Sequence, residues 1–76
     1  TTIGHQTIIK QYVNISPGVT IGGNCIISNQ VHLGIGSTLS NNIKIYNDAY
    51  IGAGSLVIKH ITKKGLYVGS PAKFIK

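Results

Sequence analysis

Residues 13–54 divide into seven blocks of six, VNISPG, VTIGGN, CIISNQ, VHLGIG, STLSNN, IKIYND and AYIGAG, and the third residue of every block is Ile or Leu. The same step of six, begun at Ile3 and continued to Val57, meets an aliphatic residue in ten trials out of ten. Chance does not explain this result, because Ile, Leu and Val are only 23 of the 76 residues. A strict short period indicates a repeat architecture and takes precedence over separate helix or strand assignments.

A second series of residues, four places after the first, is small or β-branched, and turn-forming residues such as Pro17-Gly18 and Asn41-Asn42 lie between the two series. Each strand runs from a member of the second series to the next member of the first series, with one residue in the middle. Side chains alternate along a strand, so both series point inward and the middle residue points outward. Six residues then make one side, and three sides close a triangular coil of 18 residues whose neighbours stack as parallel strands about 4.8 Å apart. The second series is Thr7, Val13, Val19, Cys25, Val31, Ser37, Ile43, Ala49, Ser55 and Ile61.

The period therefore predicts an all-β protein, a parallel β-helix of about three coils over residues 1–60. Helical periodicity is absent, and a sandwich or barrel does not require sixfold spacing. The repeat fades after Val57, so residues 61–76 are predicted to cap the open end of the last coil. The first residues already belong to the repeat, and we expect an N-terminal domain of the full-length protein to be absent from these 76 residues.

Composition narrows the function classes. The lone Cys25 excludes an internal disulfide and a multi-cysteine metal site, which fits a reducing, cytoplasmic location. No apolar run approaches the length of about 20 residues that a membrane span needs, so no membrane insertion is expected.

Seven lysines, no arginine and a single acid, Asp48, give a net charge of +6. Interleaved aromatics and arginine forks, which nucleic-acid surfaces use, are missing, so we expect a small phosphorylated ligand and no nucleic acid. Five lysines fall in the C-terminal part of the chain, after Ile58: Lys59, Lys63, Lys64, Lys73 and Lys76.

The uninterrupted repeat from Ile3 to Val57 resembles the hexapeptide-repeat acyltransferases, and the ending Gly69-Ser70-Pro71-Ala72-Lys73 resembles the Gly-X-Pro-Ala-Lys tail of many of them. The resemblance implies a left-handed β-helix, whose hand the spacing alone does not determine, and a homotrimer. The segments 4–7 (GHQT) and 13–18 (VNISPG) are similar to the bacterial NeuD and PglD group, which acetylates sialic acids and nucleotide-linked amino sugars.

This second resemblance implies site residues. His5 takes the place of the general base, and Asn14 stands where the group has a second His that contacts acetyl-CoA. The coenzyme contacts of the group fall on Gly23, Ile35 and Ala53, and Lys73 is expected to meet the coenzyme phosphates as a point charge.

We therefore expect an enzyme that transfers an acetyl or other acyl group from acetyl-CoA to an amine or hydroxyl of a sugar or nucleotide sugar, with no metal required. An imidazole can accept the acceptor's proton near neutral pH, and the backbone N–H of Gly23, one coil above His5, could bind the developing oxyanion. The acceptor and the choice between N- and O-transfer stay open.

Two other functions are compatible with a β-helix. A non-catalytic scaffold or assembly module needs only the repeat. A zinc-dependent, γ-type carbonic anhydrase needs three converging imidazoles, whereas the histidines here occupy different places of the hexad.

Overall fold

The computed structural model describes residues 2–76, and within that range it consists of short β-strands and turns. It contains no helix there that is long and apolar enough to cross a membrane. The predicted all-β class is confirmed. The strands are β1 (Thr2–Ile3), β2 (Ile8–Ile9), β3 (Asn14–Ile15), β4 (Thr20–Ile21), β5 (Ile26–Ile27), β6 (His32–Leu33), β7 (Thr38–Leu39), β8 (Lys44–Ile45), β9 (Ala49–Ile51), β10 (Leu56–Val57), β11 (Gly65–Val68) and β12 (Lys73–Phe74).

The strands form three sheets, which are the faces of a triangular prism and are parallel except for the last strand, β12. Face 1 has the order β1-β4-β7-β10, face 2 has β2-β5-β8, and face 3 has β3-β6-β9-β11-β12. Partners along each face are separated by one coil of three hexads, as in the series Thr2, Thr20, Thr38 and Leu56 on face 1. The predicted coil of three six-residue sides is therefore confirmed.

Nine turns between residues 5 and 54 form the three vertical edges of the prism, and the second residue of every turn has a φ between 57° and 76°. This left-handed conformation suits Gly, Asn and Asp better than other residues. Edge A consists of the turns His5-Gln6, Gly23-Asn24 and Asn41-Asn42; edge B of Gln11-Tyr12, Asn29-Gln30 and Asn47-Asp48; and edge C of Pro17-Gly18, Ile35-Gly36 and Ala53-Gly54. Only edge C has glycine at all three left-handed positions.

The core lies along the axis of the prism, where the aliphatic series stacks coil upon coil. Its six central members are at most 2% exposed: Ile21, Ile27, Leu33, Leu39, Ile45 and Ile51. The inward polar groups are paired, since the hydroxyl of Ser37 donates to the carbonyl of Gly34 and that of Ser55 accepts from the N–H of Gly69. No buried side-chain nitrogen or oxygen in residues 2–76 lacks a hydrogen-bond partner, as a stable interior requires.

The C-terminal segment first extends the helix and then closes it. Ile61 bridges Ile45, and β11 pairs in parallel with β9 after a slightly shortened coil, which completes a fourth turn. The antiparallel strand β12 then pairs with β11, and the N–H of Ala72 donates to the carbonyl of Leu56 on face 1. Tyr67 fills the end of the core, with Phe74 packed edge to face against it at 5.5 Å. This end of the core is therefore covered.

Stability should depend on the stacked aliphatics far more than on exposed ones. Ile27→Ala removes a side chain with no exposed surface and should lower the free energy of unfolding by about 2–5 kcal/mol, measured by urea denaturation. Ile8→Ala, at a residue 53% exposed on the same face, is the matched control and should cost about 0.5 kcal/mol or less. Equal losses in the two variants would contradict a core built from this series.

Candidate functional site

His5 begins edge A, with its backbone fixed and its side chain exposed to solvent. Its carbonyl accepts the N–H of Asn24 at 2.9 Å. The preceding Gly4 lies so close to the next coil that a Cβ there would come within 2.6 Å of the nitrogen of Gly23. Behind the turn, the hydroxyl of Thr7 donates to the carbonyl of Gly22 and accepts from the N–H of Cys25. These contacts thus fix the backbone from which the imidazole of His5 projects at a corner of the prism.

Gly23 lies directly above His5, but its N–H already has a partner. It donates to the side-chain oxygen Oδ1 of Asn41, in the coil above, at 2.8 Å. The same bond recurs on edge B, where the Oδ1 atoms of Asn29 and Asn47 accept from the N–H groups of Gln11 and Asn29. The predicted oxyanion role of Gly23 therefore requires Asn41 to release this bond.

Asn14 points outward from face 3, between edges B and C, and pairs in register with His32 on the next coil. His32 in turn pairs with Tyr50, and the two rings stack with their centroids 4.3 Å apart and their planes at 14°. The sequence analysis did not predict this stack. The signal was present, because Tyr50 follows His32 by one full coil.

Ile35 and Ala53 lie one above the other on edge C, and both are exposed. The glycines that follow them, Gly36 and Gly54, have open space around them, since a Cβ at either would meet no atom within 4 Å. Glycine at these two positions therefore serves the left-handed turn and leaves the backbone uncovered. Edge C offers a strip on which another molecule can approach the main chain closely.

The predicted site residues form two groups in one chain. His5 and Gly23 lie on edge A, whereas Ile35 and Ala53 lie on edge C, and face 1 separates the two edges. Asn14 belongs to neither group, since it lies on face 3, between edges B and C. A single prism does not bring the two groups together.

Lys73 lies at the C-terminal end of the prism, beside a groove of about 300 Å³. Lys59 and His60, from the chain that leaves the repeat, line the same groove together with Phe74. The amino group of Lys63 lies 4.0 Å above the centre of the Phe74 ring, a cation–π contact. The tail therefore brings lysines that are distant in sequence to one end of the molecule.

The three histidines do not converge in the chain. His5 lies on edge A in the first coil, His32 on face 3, and the Nδ1 atom of His60 accepts the N–H of Lys44 near the last coil. Residues 2–76 contain no group of three His, Cys, Asp or Glu side chains placed to hold a metal ion. One chain therefore does not supply the three imidazoles that the carbonic anhydrase alternative needs.

The fold is shared with solved acetyltransferase structures. A perosamine N-acetyltransferase from Caulobacter crescentus, a histidine-to-asparagine variant in complex with CoA and GDP-perosamine, superposes with a TM-score of 0.93 at 22% identity over 96% of this chain and 35% of that chain. A maltose O-acetyltransferase from Clostridium difficile 630 gives a TM-score of 0.61 at 22% identity over 97% of this chain and 57% of that one. Soybean serine acetyltransferase gives 0.63 at 26% identity, over 97% and 40%.

The chain has the left-handed β-helix fold of the hexapeptide-repeat acetyltransferases. This confirms the predicted hand, because a helix of the opposite hand is a mirror-image path that does not superpose at such a score. The chain spans about a third to a half of the length of these structures. No protein-family model matches the sequence, and no curated protein sequence matches it.

The hydrogen bond from the N–H of Gly23 to the side chain of Asn41 should stabilise edge A of the β-helix. Asn41→Ala leaves the N–H of Gly23 without its protein partner and should lower the free energy of unfolding by about 1 kcal/mol, measured by urea denaturation. Ser40→Ala, at the exposed neighbouring residue, should leave the stability within about 0.5 kcal/mol of the unmodified protein. If the two variants are equally stable, the bond does not hold the edge together.

Proposed function

We propose that this protein is an acetyltransferase that moves an acetyl group from acetyl-CoA to an amine or hydroxyl of a sugar or nucleotide sugar. The observation that carries the proposal is the superposition, at a TM-score of 0.93, on an enzyme crystallised with CoA and GDP-perosamine. The exposed His5 on edge A supplies a side chain suited to the chemistry. Because that neighbour is longer, part of the acceptor site would lie on an N-terminal domain outside residues 1–76.

His5 is proposed as the general base. As the acceptor oxygen or nitrogen attacks the thioester carbonyl, the imidazole takes the proton that the acceptor loses. The tetrahedral intermediate collapses with cleavage of the carbon–sulfur bond, and the departing thiolate of CoA takes up a proton. The hydrogen-bonded first coil favours this role, because it fixes the backbone position from which the imidazole reaches the substrate.

Edge C is proposed as the wall that holds the coenzyme. The carbonyl of Ile35 already accepts the N–H of Gly54 at 2.8 Å, so the N–H of Ile35 and the backbone of Ala53 are the groups proposed to exchange hydrogen bonds with the amides of the pantetheine arm. The amide of Asn14, on the face that leads into this edge, adds a donor and an acceptor where the related group has a histidine. Lys73 then places a positive charge near the phosphates at the C-terminal end.

A homotrimer would unite the two groups of site residues. Since edge A carries the base and edge C the coenzyme contacts, packing edge A of one subunit against edge C of the next would build a complete site at each interface. Exposed aromatic side chains on the outside of the prism, such as Tyr46 and Tyr50, offer apolar surface for such packing. The buried thiol of Cys25 suits the cytoplasm of a bacterial cell, which we propose as the location.

Removal of the imidazole of His5 should strongly lower turnover without preventing the binding of acetyl-CoA. His5→Ala should lower kcat with acetyl-CoA and amino-sugar acceptors by about 100-fold or more, as expected for loss of a general base. Acetyl-CoA should still raise the melting temperature of this variant. Gln11→Ala, at the exposed residue that takes the place of His5 on edge B, is the matched control and should keep its activity.

Unchanged turnover in His5→Ala would remove His5 as the base. Absence of any acetyl-CoA effect on the melting temperature of the unmodified protein would favour a scaffold without enzymatic activity.

Combining two impaired variants should restore activity at low acetyl-CoA concentration if the site is shared. Ala53→Glu puts a negative charge on edge C and should raise the KM for acetyl-CoA by repelling its phosphates. In mixed trimers, an interface between edge A of an Ala53→Glu subunit and edge C of a His5→Ala subunit has both working groups. Co-expression of the two variants should therefore give turnover that neither shows alone.

Gln11→Glu, at the equivalent place of edge B, is the charge-matched control for Ala53→Glu and should leave the KM unchanged. Mixed trimers without activity would contradict the shared site but not the role of His5.

A further inference from the structure

The charge of this protein is concentrated at one end. Five of its seven lysines follow Leu56 in the sequence, and the path of the tail brings all five to the C-terminal end of the prism. All five are exposed. The only acid, Asp48, lies on edge B in the third coil, so no acidic side chain follows Leu56 to offset their charge. The five are Lys59, Lys63, Lys64, Lys73 and Lys76.

Exposed apolar side chains lie among these lysines. Ile58 is 48% exposed, Phe74 44% and Ile75 53%, and the first two line the groove that also contains Lys59 and Lys73. Long lysine stems extend an apolar surface while their amino groups stay in water. This end of the prism therefore presents exposed apolar side chains next to positive charge. We call the three apolar residues and the five lysines the basic end.

We propose that the basic end docks on the surface of an anionic lipid bilayer. A membrane-bound surface needs this combination, since clustered lysines are attracted by anionic headgroups and a few apolar side chains enter the boundary between headgroups and acyl chains. Lysine suits lipid phosphates, which vary in position, because its ammonium group acts as a mobile point charge. This surface association goes beyond the proposed acyl transfer and does not depend on it.

A nucleic acid fits the basic end less well. Sequence-tolerant binding of single strands uses aromatic rings that stand free to stack on bases, together with arginine. The Phe74 ring is already engaged, with Tyr67 against its edge and the Lys63 amino group over its face. The chain contains no arginine.

Vesicle sedimentation tests the proposal. The protein should bind vesicles of phosphatidylcholine mixed with phosphatidylglycerol and not vesicles of phosphatidylcholine alone, and raising NaCl from about 0.05 M to about 0.5 M should weaken binding by screening. Lys64→Glu should lower the partition coefficient at least about fivefold. Lys10→Glu makes the same change of net charge in the first coil, away from the basic end, and should have a much smaller effect.

A second pair of variants tests whether exposed apolar side chains of the basic end contribute to vesicle binding. Ile75→Ser should lower the partition coefficient about threefold or more, whereas Ile8→Ser, at an isoleucine equally exposed but on face 2, should not change it. Circular dichroism and melting temperatures confirm that the variants are folded.

Three outcomes would overturn the proposal. Equal losses with Lys64→Glu and Lys10→Glu would assign binding to net charge alone. Equal sedimentation with the two kinds of vesicle would exclude recognition of anionic lipid. Single-stranded RNA that binds at the same salt at least as tightly as the anionic vesicles would make nucleic acid the partner.

Discussion

The backbone hydrogen bonds between successive coils are the constraint on which the rest of this structure depends. The N–H of Gly22 donates to the carbonyl of Leu39 and that of Ser40 to the carbonyl of Val57, and the same step recurs on every face. Most strands are two residues long, too short to be stable except as members of a stack. A one-residue slip would turn the buried aliphatics outward, so the ladder also fixes which side chains form the core.

This constraint leaves the interior uniform and the edges free to differ. Inside, aliphatic residues repeat from coil to coil, while each edge has its own chemistry: an imidazole and amides on edge A, amides and a carboxylate on edge B, and bare backbone on edge C. Because the edges run the length of the prism, a ligand laid along one of them meets groups from several coils. The proposed division of labour, a base on edge A and a coenzyme wall on edge C, follows from this arrangement.

Sequence reasoning reached the fold because the period of six is short and unbroken, so every residue from Ile3 to Val57 has a known face. It placed Gly23 one coil above His5 for the same reason. It did not find that Asn41 occupies the N–H of Gly23, because that bond depends on a side-chain rotamer as well as on register. The stack of His32 on Tyr50 could have been predicted, since the two residues are one coil apart in the sequence.

The sequence by itself determined the all-β class, the coil of three hexads, the position of the turns and the inward and outward face of each residue, because periodicity maps directly onto a strand-and-turn backbone. Only the tertiary structure decided how the tail ends the helix. There the last coil is shorter, so that Gly65 pairs with Ala49, and β12 then runs antiparallel to β11. Lys73 and Lys59 line the same groove as a result. These contacts lie beyond the repeat, where the sequence has no periodic pattern. The path of the tail is instead determined by how it packs on the last coil.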